Sequence, residues 1–204
     1  MAGVSPKFSS IDVLRVFKIM SDNPISRAEI VKRSGIGEGS MRSILDLLKE
    51  QKLIESTRSG HFLSTPGDYL SKEIGGLIKG PITLGCTVFN NPFRAAVVLR
   101  KPNTSFDAVK LRDLALKWGA DAALVLVMQG GSLRAPKAES KLELDHIKEQ
   151  LDPDEGDMII LTFSASQQSA DTSALAVAIG ADDRLRGIVI KKFGVPSQSL
   201  PIPL

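Results

Sequence analysis

Ser26-Arg-Ala-Glu-Ile-Val-Lys-Arg-Ser-Gly-Ile-Gly-Glu-Gly-Ser-Met-Arg-Ser-Ile-Leu-Asp-Leu-Leu48 reads as two helices around a tight turn. Ser26 followed by Glu29 is a capping-box pattern, in which the serine hydroxyl accepts from the third residue's N–H and the glutamate accepts from the serine N–H. The spacing predicts a first helix over residues 27–33, with Ile30 and Val31 turned inward. Gly35-Ile36-Gly37 makes the turn, since glycine tolerates positive φ, and Ile36 can plug the small core between the helices. Met41, Ile44, Leu45 and Leu48 then recur at i, i+3, i+4 and i+7, the buried stripe of a second helix. Its opposite face carries Gly39, Ser40, Arg42, Ser43, Asp46 and Lys49.

Upstream, Ile11, Leu14, Phe17 and Met20 have helical spacing behind Ser9 and Ser10, and Pro24 closes the segment. Downstream, residues 53–57 and 61–64 are strand-like runs joined by Arg58-Ser59-Gly60, a hairpin. Thr65-Pro66 opens another helix carrying Tyr69, Leu70, Ile74, Leu77 and Ile78, which loosens at Gly75-Gly76 or stops at Gly80-Pro81. A domain boundary is expected there, giving domains 1–80 and 81–204.

From Pro81 the texture alternates between strands and helices. Strands are expected at 82–89, 94–100, 122–128, 158–163 and 186–192, the first two antiparallel. Helices are expected from Thr104 to Trp118, at 142–151 and at 172–179. Such alternation implies an α/β layered domain, so the fold class is mixed α/β with a helical N-terminal domain.

A chain of 204 residues with 43% apolar and 24% charged residues is an ordinary globular composition with room for two cores. One cysteine, Cys86, excludes an intrachain disulfide and a zinc ribbon, and in an apolar run it reads as a buried, inert thiol. Residues 1–7 lack the apolar core of a signal peptide, and no run approaches the ~20 apolar residues of a membrane span, so a cytoplasmic protein is expected. The net charge of +3 lies in the first part: residues 1–80 hold 12 Lys/Arg against 9 Asp/Glu, and residues 81–204 hold 14 against 14. That asymmetry is a mild pointer to nucleic acid.

The order helix, helix, glycine turn, helix, hairpin, helix resembles the winged helix-turn-helix regulators of bacteria and archaea. The carrying residues are Ile25-Ser-Arg-Ala-Glu-Ile30, Ser34-Gly-Ile-Gly37, Met41-Arg-Ser-Ile-Leu45, Leu48-Lys-Glu-Gln-Lys-Leu-Ile54 and Phe62-Leu-Ser-Thr-Pro-Gly67. The last is similar to the closing phrase of MarR-like and iron-dependent repressors, and Gly37-Glu-Gly-Ser-Met-Arg42 resembles archaeal regulators. The resemblance covers residues 10–78 and implies duplex DNA as partner, read by a homodimer. A major groove about 12 Å wide admits one helix, whose N-terminal residues meet base edges. It implies that Glu38, Gly39, Ser40, Arg42 and Ser43 face the bases, with Arg42 bridging two acceptors on guanine. Ser26, Arg27 and Lys49 would touch phosphate, and Arg58 and His61 at the hairpin tip would meet the minor groove or backbone. The same domain shape also serves as a protein-docking module.

In the second half, Gln129-Gly-Gly-Ser-Leu-Arg134 and Ser164-Ala-Ser-Gln-Gln-Ser169 each follow a buried strand. Glycine lets a ligand reach backbone N–H groups, and ligands gather beyond the carboxyl ends of strands in open α/β sheets. A small anionic effector between Gly130, Gly131, Ser132, Arg134, Ser164, Ser166 and Ser169 is one expectation. The plainer one is that Ser169 or Asp171 caps a helix and the glycines turn the chain. No G-x-S-x-G, Walker loop, H-E-x-x-H or dinucleotide fingerprint is present, so neither enzyme activity nor a cofactor is expected. His146, beside Glu143, Asp145 and Glu149, lacks a second histidine at i+4, so no metal site is expected either.

Overall fold

A computed structural model describes residues 7–85, 90–103, 106–135 and 144–195. The fold is mixed α/β, and the chain forms two compact units. Among the described residues the first runs to Gly75 and resumes at Gly187, and the second spans Gly76–Arg186. The first unit thus recruits residues far beyond the expected boundary at residue 80.

The first unit opens with α1 (Ser10–Ile19), capped by Ser9 with Asp12 completing a reciprocal capping box. Ser26 caps α2 (Arg27–Ser34) by accepting from Glu29 N at 3.2 Å. The expected return by Glu29 is not made, because its carboxylate accepts from Arg33 Nε one turn on, at 2.7 Å. Gly35 ends α2 in the left-handed region, at φ 69°, and Ile36 is buried behind it. In α3 (Glu38–Glu50), Met41, Ile44, Leu45 and Leu48 are all buried, as the stripe requires. Strands β1 (Ile54–Thr57) and β2 (Gly60–Leu63) pair antiparallel around Arg58-Ser59, and α4 (Thr65–Leu77) follows without a break at Gly75-Gly76.

The second unit is built on a five-stranded sheet of β3 (Ile78–Ile82), β4 (Phe93–Leu99), β5 (Ala122–Gln129), β6 (Ser132–Arg134) and β7 (Met158–Ser164). The order is β3-β4-β7-β5-β6, with every neighbouring pair antiparallel. Strand β3 starts earlier than expected, directly after α4, because Ile78 pairs with Leu99 and is buried. The rest of the expected strand at 82–89, and Cys86 with it, lies outside the described residues. Helix α5 is Ala108–Lys117, α6 Asp145–Leu151 and α7 Gln167–Ala181. One sheet face packs Ala96, Val98, Leu126, Ile159, Leu161 and Phe163 with Ile147 and Leu151 of α6. On the other lies α7, where Thr162 Oγ1 donates to Ala170 O at 2.7 Å. Helix α7 is apolar almost all round, from Ala174 to Ile179, as a fully enclosed helix should be.

Residues 186–192, expected as a strand, belong instead to helix α8 (Asp183–Phe193). The β-branched run Gly187-Ile-Val-Ile190 suggested extension, but two things override it. Asp182 Oδ1 accepts from Arg184 N and Leu185 N, an N-cap, and Leu185, Val189 and Phe193 are buried at i, i+4 and i+8. Within the first unit the Phe193 ring lies 5.2 Å from that of Phe17 between centroids, and Val195 N donates to Ser10 Oγ.

Two outcomes follow for stability. Phe193→Ala should cost about 3–5 kcal/mol in thermal or denaturant unfolding, whereas Ile190→Ala, at an exposed position of the same helix, should cost little. Lys18 is partly buried on α1 without an ion pair among the described residues, and burial pulls its ammonium down to about 8. The unfolded chain holds that proton up to about 10.4, so between the two values it binds more protons and stability rises with pH. Lys18→Met should therefore stabilise the protein at pH 7 by on the order of 2 kcal/mol, with the gain shrinking to nothing as unfolding curves are taken through pH 8 to 10.5.

Candidate nucleic-acid interface

Because one stripe of α3 is buried, its other face looks outward. Gly39, Arg42, Ser43, Asp46, Lys49 and Glu50 are exposed, and Ser40 is partly so. Along the axis this face changes character. Its first half offers Gly39, Ser40 and Ser43, small and uncharged, together with Glu38 and Arg42, whereas its second half offers Asp46, Lys49 and Glu50. Ser43 Oγ donates to Gly39 O within the helix, at 3.4 Å. The N-cap is Gly37, which has no side chain to occupy the first amide groups. A Cβ at Gly39 would meet nothing within 4 Å, and its φ is ordinary, so nothing in the packing demands glycine there. Glycine inside a helix costs roughly 0.5–1 kcal/mol against alanine.

The cations around α3 are not equivalent. Arg27, the first residue of α2, pairs through Nε with Glu38 Oε2 at 3.1 Å, bridging the starts of the two helices. Lys49 sits 3.8 Å from Asp46. Arg42 and Arg58 are exposed and have no ion pair among the described residues. Ser26 spends its hydroxyl on the α2 cap.

His61 does not lie at the hairpin tip as expected. The turn is Arg58-Ser59, and His61 is within β2 opposite Ser56, whose Oγ is 2.7 Å from its Nδ1. Its backbone exchanges two hydrogen bonds with Ile25, at 2.8 and 2.9 Å, adding a third short extended segment beside the hairpin. The tight spacing explains Gly60, where φ is 136° and a Cβ would collide with Ile25 O. Burial lowers the His61 pKa below its usual 6.5, and the charges of Lys49 and Arg27 push the same way against a smaller opposing pull from Asp46.

The two loops of the second unit do not converge on one effector. In the β5–β7 ladder Val127 faces Met158 and Ala122 faces Phe163. Gly130 and Gly131 therefore sit at one end of the sheet and Ser164, Ser166 and Ser169 at the other, roughly 30 Å apart at strand rise. The rule of ligands beyond the carboxyl ends of parallel strands has no application to a sheet paired antiparallel throughout. Glu155 already fills the glycine turn, accepting from Gly130 N at 2.7 Å and Gly131 N at 3.4 Å. Ser132 and Arg134 flank it on β6 and are exposed. At the far end Ser166 caps α7 by accepting from Ser169 N, Ser166 Oγ donates to Ser169 Oγ, and Ser164 Oγ donates to Gly119 O. His146 and Asp145 are exposed on α6, Glu143 lies outside the described residues, and the described residues hold no cluster suited to a metal.

One polar network in this unit escaped the sequence. Buried Asp157 accepts from Arg100 Nη1 at 2.5 Å and from the N–H groups of Lys101 and Asp154. Buried Asp182 pairs with Arg184, which also donates to the carbonyls of Arg100 and Lys101. Burial alone would raise the Asp182 pKa, but hydrogen bonds from Arg184, Leu185 N and Asn103 N, with the Arg184 charge, outweigh it and hold the carboxyl low. The turn after β4 is thus pinned by two aspartates.

Two stretches of the chain, one within each unit, match family models. Residues 11–69 match the family described as PH0730-like, N-terminal domain, and residues 91–182 match a domain of unknown function, DUF4443. Among solved structures, the chain is similar to hypothetical protein PH0730 from Pyrococcus horikoshii OT3, at 25% identity and a TM-score of 0.78 over 91% of this chain and 99% of that one. No curated protein matches. No described helix is long and apolar enough to cross a membrane.

The environment of His61 is directly measurable. The sequence has two histidines, His61 and His146, so an NMR titration resolves them. The His61 ring should titrate below 6.5, and Arg27→Met and Lys49→Met should each move it upward by removing a positive neighbour.

Proposed function

We propose that residues 10–78 form a winged helix-turn-helix domain that binds duplex DNA sequence-selectively, and that the chain is a transcriptional regulator rather than an enzyme. The observation carrying this reading is the outward face of α3: small side chains at Gly39, Ser40 and Ser43, an arginine without an ionic partner among the described residues, and a glycine that packing does not require. A helix entering the major groove needs room at its leading turn and a planar fork for guanine O6 and N7, which Gly39 and Arg42 supply. Asp46 and Glu50 repel phosphates, so they favour a pose in which α3 enters by its N-terminal end and its other end tilts away. Arg58 in the hairpin turn suits the adjacent phosphates or minor groove. Reading two half-sites a helical turn apart calls for a homodimer in the DNA-bound state.

Selection of duplexes from a random pool by the full-length protein tests the proposal. Enrichment of a defined site should be seen, with affinity falling steeply as salt rises. Arg42→Ala should weaken that site by about 10- to 100-fold and relax preference at one base pair. Arg58→Ala should weaken all sequences similarly and reduce the salt slope by about one unit. Failure to enrich any duplex, with no salt-dependent shift of generic DNA, would overturn the reading and favour protein docking.

A further inference from the structure

We propose that Arg27 is a positioning residue: it holds the Glu38 carboxylate and thereby keeps Arg42 unpaired for guanine recognition. This rests on the DNA-binding reading above. Glu38 and Arg42 stand at i and i+4 on α3, with the acidic residue N-terminal, which is the favourable order for an intrahelical ion pair. The structure contains no such pair. Glu38 turns instead to Arg27 on the preceding helix, Nε to Oε2 at 3.1 Å, and Arg42 is left without an ionic partner among the described residues.

A Glu38 carboxylate turned to Arg27 is drawn away from Arg42, one turn along α3. A guanidinium closed onto Glu38 presents fewer donors to a base and has to break that contact to reach guanine. Pairs this exposed, 45% for Arg27 and 61% for Glu38, are weak in water. Their balance shifts once DNA excludes water and adds negative potential, since every charge interaction there is stronger. A carboxylate released from Arg27 would then fall on Arg42 or face phosphates unpaired. Glu38 also has a use in its held position, because it disfavours non-specific adhesion of the leading turn to phosphate.

The test is a double-mutant cycle on the full-length protein, using the duplex most enriched by the wild type and the same duplex with each guanine in turn replaced by 7-deazaguanine. Wild type should lose about tenfold in affinity at one guanine, and Arg42→Met should be insensitive there. Arg27→Met should bind several-fold more weakly and show a reduced penalty at that same guanine. Adding Glu38→Gln to Arg27→Met should restore the guanine penalty to the wild-type ratio. A plain phosphate contact by Arg27 predicts something else: loss of about one unit of salt slope, an unchanged guanine penalty, and no rescue by Glu38→Gln. That result, or additive effects of the two substitutions, would overturn the proposal while leaving the DNA reading intact. If no duplex is enriched at all, the DNA reading itself falls.

Discussion

The burial of four side chains of α3, Met41, Ile44, Leu45 and Leu48, governs what the first unit can do. With α1 and α2 packed against that stripe, α3 has no rotational freedom about its axis. Each buried Leu, Ile or Met contributes about 1.5–3 kcal/mol relative to exposure, so turning the helix to present another face is out of reach for a protein of ordinary stability. The residues offered to solvent are therefore fixed by the apolar ones. Gly39, Arg42 and Ser43 are outward because Met41, Ile44 and Leu45 are inward.

A similar economy applies in the second unit, with a different result. Its sheet is antiparallel, enclosed by α6 on one face and by α5 and α7 on the other, and its buried aspartates are hydrogen-bonded internally. Glu155 occupies the glycine turn, and Asp157 and Asp182 organise the turn after β4. A buried carboxylate without such partners would cost several kcal/mol, so these networks hold the connection in one arrangement. Ser164 and Ser166, two of the side chains that looked like ligand-binding groups, hold a loop carbonyl and the start of α7 in this structure.

What the sequence disclosed followed the range of the interaction concerned. The α3 stripe, the Ser26 cap and the Gly35 turn depend on residues within four positions of each other, and all were legible. The Glu29 half of the capping box was misread because Arg33 competes for the same carboxylate from one turn away. Residues 186–192 read as a strand because Ile188, Val189 and Ile190 favour extension. Their helix is settled by the Asp182 cap and by partners distant in sequence, though an Asp-Asp pair before Arg184 was a signal in plain view. The position of His61 depends on pairing with Ile25, and the separation of the two loops depends on strand direction; neither is encoded locally. The Arg27–Glu38 pair joins two helices across the turn and has no periodic signature.

The contact between Phe17 and Phe193 has a consequence for how the molecule comes into being. A ribosome that has released only residues 1–80 has made every described helix and strand of the first unit except the piece that covers Phe17. Throughout translation of the following hundred residues that aromatic site awaits its partner, so the nascent N-terminal unit matures only when synthesis has passed α8.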